Sequence, residues 1–108
     1  MATSVAARDL ERLSQLYASG FYDAFIDKAL HRIVQRQIER DEADLQQMDR
    51  ELAVFEKLNG LTSDEFWQRY QAGQMADTAD FMEWNVLCKA RQRLAARLRI
   101  LRGAGAHD

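Results

Sequence analysis

The stretch VQRQIERDEADLQQMDRELAVF, Val34–Phe55, decides the fold. Val34, Ile38, Leu45, Met48, Leu52 and Phe55 fall on alternating three- and four-residue steps, and Asp41 fills the slot where an apolar residue is missing. That pattern is a heptad seam with a polar interruption. Ile26, Leu30, Ile33 and Val34 open the apolar face of the same helix upstream. The chain contains no proline, which would remove a backbone donor and clash with the preceding turn. The spacing predicts one helix over residues 22–58, about 54 Å long at 1.5 Å per residue. That length exceeds what a compact globule of 108 residues accommodates, so an elongated hairpin or a dimer is expected.

Gly60 ends this helix, and NGLTSDEFWQRYQAGQMADTADFMEW (Asn59–Trp84) follows it. Thr62 or Ser63 is a natural N-cap, and the TSDE order resembles a capping box that sets negative charge at a helix's positive end. A short third helix is predicted over residues 63–72, with Phe66 and Tyr70 on one face and Trp67 beside them. Asp77 or Thr78 caps a fourth helix over residues 78–101. Phe81, Trp84, Leu87, Cys88, Leu94, Leu98 and Leu101 form its stripe, and Arg91 occupies one slot.

The second and fourth helices then read as the arms of an antiparallel hairpin with the third helix in the bend. With Phe55 opposite Trp84, equal steps outward place Met48 near Arg91, Leu45 near Leu94 and Ile38 near Leu101. Arg91 would reach Asp44 or Glu51. Nine acidic residues lie between Glu39 and Glu65 against Arg40, Arg50 and Lys57, whereas Lys89–Arg102 holds six basic residues and no acid. The basic arm should lie along the acidic one. Exposed pairs of this kind contribute about 0–1 kcal/mol each, so they tune pairing without driving it.

Upstream, Ala6, Leu10, Leu13 and Tyr17 make one stripe of a first helix over residues 4–18. Phe21, Tyr22 and Phe25 follow the break at Gly20 and are expected to fold that helix against the second. The fold class is therefore all-α: a long antiparallel hairpin, coiled-coil-like, with a short helix at the bend and an additional N-terminal helix. It reads as one helical domain over residues 1–102, oligomeric in use, with a flexible tail over 103–108.

Composition bounds function more than it names it. The apolar share is 47%, the charged share 30% and the net charge −2. These values fit a soluble folded chain, and a pI of about 5.7 argues against a whole-surface nucleic-acid binder. Cys88 is the only cysteine, so no intrachain disulfide forms, and its apolar-periodic setting fits a buried reduced thiol. No signal peptide or membrane span is legible, and a cytoplasmic location is expected.

Chemistry is scarce. His31 and His107 are the only histidines, and Asp27 with His31 offers at most two metal ligands. The carboxylates Glu39, Asp41, Glu42 and Asp44, with Asp80 and Glu83, allow an alternative reading as a magnesium-dependent all-helical nucleotide pyrophosphohydrolase. The expected register keeps Asp41 far from Asp80, which disfavours it. No nucleophile–base pair and no glycine-rich phosphate loop are present. The arginines of the fourth helix could touch phosphates but would read no sequence. No enzyme activity and no cofactor are expected.

The segments LYASGFYDAFIDKAL (Leu16–Leu30), RDEADL (Arg40–Leu45) and EFWQRYQAGQMADTADFMEW (Glu65–Trp84) resemble small bacterial helical proteins of toxin–antitoxin type operons. The resemblance covers about Leu10–Leu101 and concentrates between Phe55 and Trp84. It implies the partner or antitoxin half of a two-gene module. The chain departs from many antitoxins in showing no N-terminal DNA-binding module, and no functional residue is carried over.

The expected function is a non-enzymatic helical interaction protein whose face covers a toxin by occlusion. The alternative is a self-assembling coiled-coil adaptor, with a dimer as the first expectation. Trp67, Tyr70, Arg91 and Arg97 are the candidate partner contacts. Asp41 and Arg91, the polar seam positions, are the candidates for setting register and oligomeric state.

Overall fold

The computed structural model describes residues 4–103. Among them are four α-helices and no strand: α1 (Val5–Ala18), α2 (Ala24–Asn59), α3 (Ser63–Gln71) and α4 (Ala79–Leu101). Of the expected tail over 103–108 only Gly103 is described, and residues 104–108, with His107, lie outside the described residues. The contacts divide the chain into two units, Met1–Ile33 and Val34–Asp108. The division falls within α2.

In the first unit, the Ser4 hydroxyl accepts the Ala7 N–H at 3.0 Å and starts α1. The Asp23 carboxylate accepts the Ile26 N–H at 2.9 Å, so Asp23 caps α2 and the helix begins at Ala24 instead of at residue 22. Phe21 meets Tyr17 edge-on with centroids 5.8 Å apart, and the Tyr17 hydroxyl donates to the Asp23 carbonyl at 3.1 Å. Phe21 thus helps close the turn as expected. Tyr22 and Phe25 do not, being 67% and 79% exposed. Once Asp23 takes the cap, the first helical turn carries Phe25 outward.

The second unit is built on the remainder of α2, α3 and α4. Gly60, at φ +64°, takes the left-handed conformation that ends α2, where any other L-residue is strained. Thr62 and Glu65 then form a full capping box at α3. The Thr62 hydroxyl accepts the Glu65 N–H at 3.1 Å, and the Glu65 carboxylate accepts the Thr62 N–H at 3.1 Å. That backbone donor, and then the Thr62 hydroxyl, hold the Glu65 carboxyl below the usual carboxylate range. Thr78 caps α4 by accepting the Phe81 N–H.

The core sits at the bend. Leu52, Phe66, Trp84 and Cys88 are buried together, and Phe55, Trp67, Tyr70 and Phe81 pack against them. The Trp84 ring lies parallel to Phe66 at 3.9 Å between centroids and to Phe55 at 5.5 Å. Burying each large apolar side chain stabilises by roughly 1.5–3 kcal/mol. The Trp84 indole N–H donates to the Ser63 hydroxyl at 3.0 Å, so the buried ring keeps its polar atom paired. The Ser63 N–H in turn donates to Glu56 at 2.8 Å, which ties α3 to the end of α2.

The stack of Phe55 on Trp84 matches the expected register of the arms. Trp84 meets Phe55, Arg91 meets Asp49 and Arg97 meets Asp41, so residue numbers fall along α2 as they rise along α4. The basic arm does lie along the acidic one.

Candidate functional site

The polar interruption of the seam is the most constrained group in the second unit. Asp41 is 1% exposed. Arg97 reaches over it from α4, donating from Nε and Nη2 to the two carboxylate oxygens, each at 2.8 Å. Gln37, one turn back on α2, adds a donor at 2.9 Å. The outer side of Arg97 remains 57% exposed, so the guanidinium covers the carboxylate and still faces solvent. Its bidentate hydrogen bonds hold the Asp41 carboxyl below the usual range, against the opposing effect of burial, and raise the Arg97 guanidinium. Among the described residues, no buried side-chain polar atom lacks a partner.

Arg91 also pairs across the arms, but with Asp49 and not with Asp44 or Glu51. Its Nε and Nη2 donate to Asp49 at 2.5 and 3.4 Å. Asp44 and Glu51 flank Met48 on either side in sequence, whereas Asp49 follows it directly and lies on the side of α2 that Arg91 approaches. Asp49 and Arg91 border a cleft of about 350 Å³ whose wall continues through Glu56, Ser63 and Asp64.

Of the candidate partner contacts, Trp67 and Tyr70 are partly buried against the bend, each with an edge in solvent. The Tyr70 hydroxyl lies 3.3 Å from Asp77, and partial burial first and that carboxylate next push the phenol's pKa above its ordinary value, so it resists ionisation. Arg91 and Arg97 are engaged with α2, so any partner would meet guanidinium groups already paired. The structure brings Arg97 to Asp41, whereas Arg91, its companion in the register reading, stands apart on Asp49.

Cys88 is buried, and its thiol lies 4.0 Å from the Ser63 carbonyl. Burial, reinforced by Asp64 and Glu56, pushes it up to about 11. It therefore stays a protonated thiol at neutral pH.

Among the described residues, no group of three or more His, Cys, Asp or Glu side chains is placed to hold a metal ion. His31 is exposed, and Asp80 stands in the first turn of α4. No described helix is long and apolar enough to cross a membrane.

The surface that sequence reasoning missed is in the first unit. None of its described residues is buried. Leu10, Leu13, Tyr17 and Leu30 line a cleft of about 240 Å³ between α1 and the start of α2. Phe25 and Ile33, eight positions apart with Ala29 between them, form an exposed apolar ridge on α2. The signal was present in the sequence: these helices carry apolar residues over more of their circumference than one neighbour can cover.

Comparison of the chain with protein-family models, curated proteins and solved structures finds no match.

Proposed function

We propose that the chain is a non-enzymatic helical protein–protein interaction module, acting in the cytoplasm as an antitoxin-type partner that neutralises a small toxin by occlusion. The observation that carries the reading is the first unit: two helical segments with exposed Leu10, Tyr22, Phe25 and Ile33 and, among the described residues, none buried. Apolar surface of this kind marks an interaction face. The second unit supports the same reading by contrast. Arg97 with Asp41, Arg91 with Asp49 and the Ser63 amide with Glu56 are engaged in tying α3 and α4 to α2. The resemblance to proteins of toxin–antitoxin operons motivates the finer antitoxin assignment, and the partly exposed Trp67 and Tyr70 at the bend are, by residue type, the candidate partner contacts.

Co-expression with the products of the adjacent genes tests it. The expected result is tight co-purification with one of them and loss of that protein's toxicity. Trp67→Ala and Tyr70→Ala should weaken the complex, by about 30-fold where either is an energetic hot spot. A chain that binds neither neighbour and protects cells from neither is not an antitoxin. Incubation with nucleoside triphosphates and Mg²⁺ should release no phosphate or pyrophosphate; turnover would revive the pyrophosphohydrolase alternative.

A further inference from the structure

We infer that the outer face of α4 is a docking strip for an acidic helix of another protein. This surface is separate from the first unit and from Trp67 and Tyr70, and it does not depend on the antitoxin assignment.

Met82, Val86, Lys89, Arg93, Ala96 and Ile100 follow one another at steps of four, three, four, three and four, so they lie in one line along α4. All six are exposed, and Met82, Val86 and Ile100 are each more than half exposed. The side of α4 that carries the buried Trp84, Cys88, Leu94 and Leu98 faces the opposite way. The line is about 27 Å long, or about five turns.

The cations on this line are the ones the fold does not use. Arg91, Arg97 and Arg102 are paired with Asp49, Asp41 and Glu42. Among the described residues, Lys89 and Arg93 enter no ion pair. Nor does α4 offer them one. Three or four positions away stand Asn85, Val86, Ala90, Gln92 and Ala96, and no acid. Instead Lys89, Arg93 and Arg97 succeed one another at four-residue spacing, a like-charge row that weakens a helix. Only Arg97 has its charge answered within the fold. An acidic partner relieves the rest of that repulsion.

The order of residues along the line disfavours the other occupants. A second copy laid antiparallel on this face would be related by an axis near position 91, which sets Lys89 of one copy against Arg93 of the other. A parallel pair would set each cation against itself. A lipid surface takes helices with an unbroken apolar face and cations at its flanks, whereas here the cations occupy the middle. Phosphates would engage Lys89 and Arg93 but leave Met82, Val86 and Ile100 without a role. A helix with acids in its central turn and apolar residues to either side meets every position. The small Ala96 lets the two helices approach closely.

NMR titration of the isotope-labelled full chain with two synthetic helical peptides of about 20 residues tests the proposal. Both peptides carry Leu in their outer turns; one has Glu in its central turn and the other Lys. The Glu peptide should shift amides between Met82 and Ile100, with a dissociation constant that rises with added salt. The Lys peptide should bind at least about ten-fold more weakly, and Arg93→Glu should weaken binding of the Glu peptide about ten-fold. With Lys89→Glu and Arg93→Glu together, the preference should reverse toward the Lys peptide. Both positions are exposed, so the variants keep the fold, which Trp84 emission checks. Shifts confined to other parts of the chain, equal binding of the two peptides, or no binding overturns the proposal. Tighter, Arg93-dependent binding of duplex DNA or of phosphatidylserine–phosphatidylcholine vesicles also overturns it, because the strip then serves phosphate. A dimer of the chain that Val86→Glu dissolves assigns the strip to a second copy and overturns it likewise. None of these outcomes bears on the co-purification that tests the antitoxin reading.

Discussion

Arg97 closes over Asp41 across the α2–α4 seam with two hydrogen bonds of 2.8 Å, one from each of two guanidinium nitrogens. Gln37 completes the set from one turn away. A buried carboxylate is tolerated only when its oxygens are satisfied, and a buried pair stabilises less by its own attraction than it destabilises when one partner is removed. Arg97→Ala should therefore lower the melting temperature by about 5–10 °C, because Asp41 keeps its charge without its fork. The double variant Asp41→Leu with Arg97→Met should melt at or above the wild-type temperature. Thermal unfolding followed by circular dichroism measures both. If the double variant is as weak as the single one, the pair is stabilising in its own right.

The same pair sets an acid limit. The Asp41 carboxyl is held below its ordinary value in the folded chain, chiefly by Arg97. Its contribution to stability is fully present above the unfolded carboxylate value, near 3.8, and is lost as pH falls through the lower folded one. Tryptophan emission during an acid titration should show the second unit loosening below about pH 4. Asp41→Asn should flatten that dependence while lowering stability at neutral pH.

Cys88 sets the alkaline limit. Its thiol is raised from 9.0 to about 11 by burial first and by Asp64 and Glu56 next. The folded chain thus holds a proton that the unfolded chain releases, and stability should decline between pH 9.0 and about 11. Cys88→Ala should lessen that decline. At pH 8 the native thiol should react with an aromatic disulfide reagent much more slowly than the denatured one. Equal rates would place Cys88 at the surface.

Phe66 carries the bend. It is fully buried and stacks on Trp84 at 3.9 Å. Phe66→Ala should cost about 3–5 kcal/mol by the cavity it leaves, and Phe66→Leu distinctly less. Chemical denaturation monitored through Trp84 distinguishes them.

Much of the second unit was legible because its signals are local or strictly periodic. The heptad from Val34 to Phe55 gave the long helix, and the TSDE order placed the cap at Thr62. Pairing Phe55 with Trp84 then fixed the hairpin register in a single step. The partner of Arg91 was not legible in the same way. A long guanidinium side chain reaches several positions, and heptad counting does not resolve Asp44, Asp49 and Glu51. The role of Asp41 was half legible. Its seam slot announced a buried polar group, but its engagement by Arg97 depends on the arms as folded. The first unit was the least legible. Tyr22 and Phe25 look like closing residues in sequence, yet the Asp23 cap turns Phe25 outward.

The segregation of charge between α2 and α4 has a consequence during synthesis and at high concentration. From residue 34 to 59 α2 carries seven acids against four bases, and α4 carries five bases against two acids, so unlike arms attract on balance and like arms do not. Arm exchange between molecules is the remaining hazard. It is discouraged at the elbow, where the Trp84 indole donates to the Ser63 hydroxyl and the Gln71 amide donates to Asn85, because carrying α4 away from α3 would break both ties.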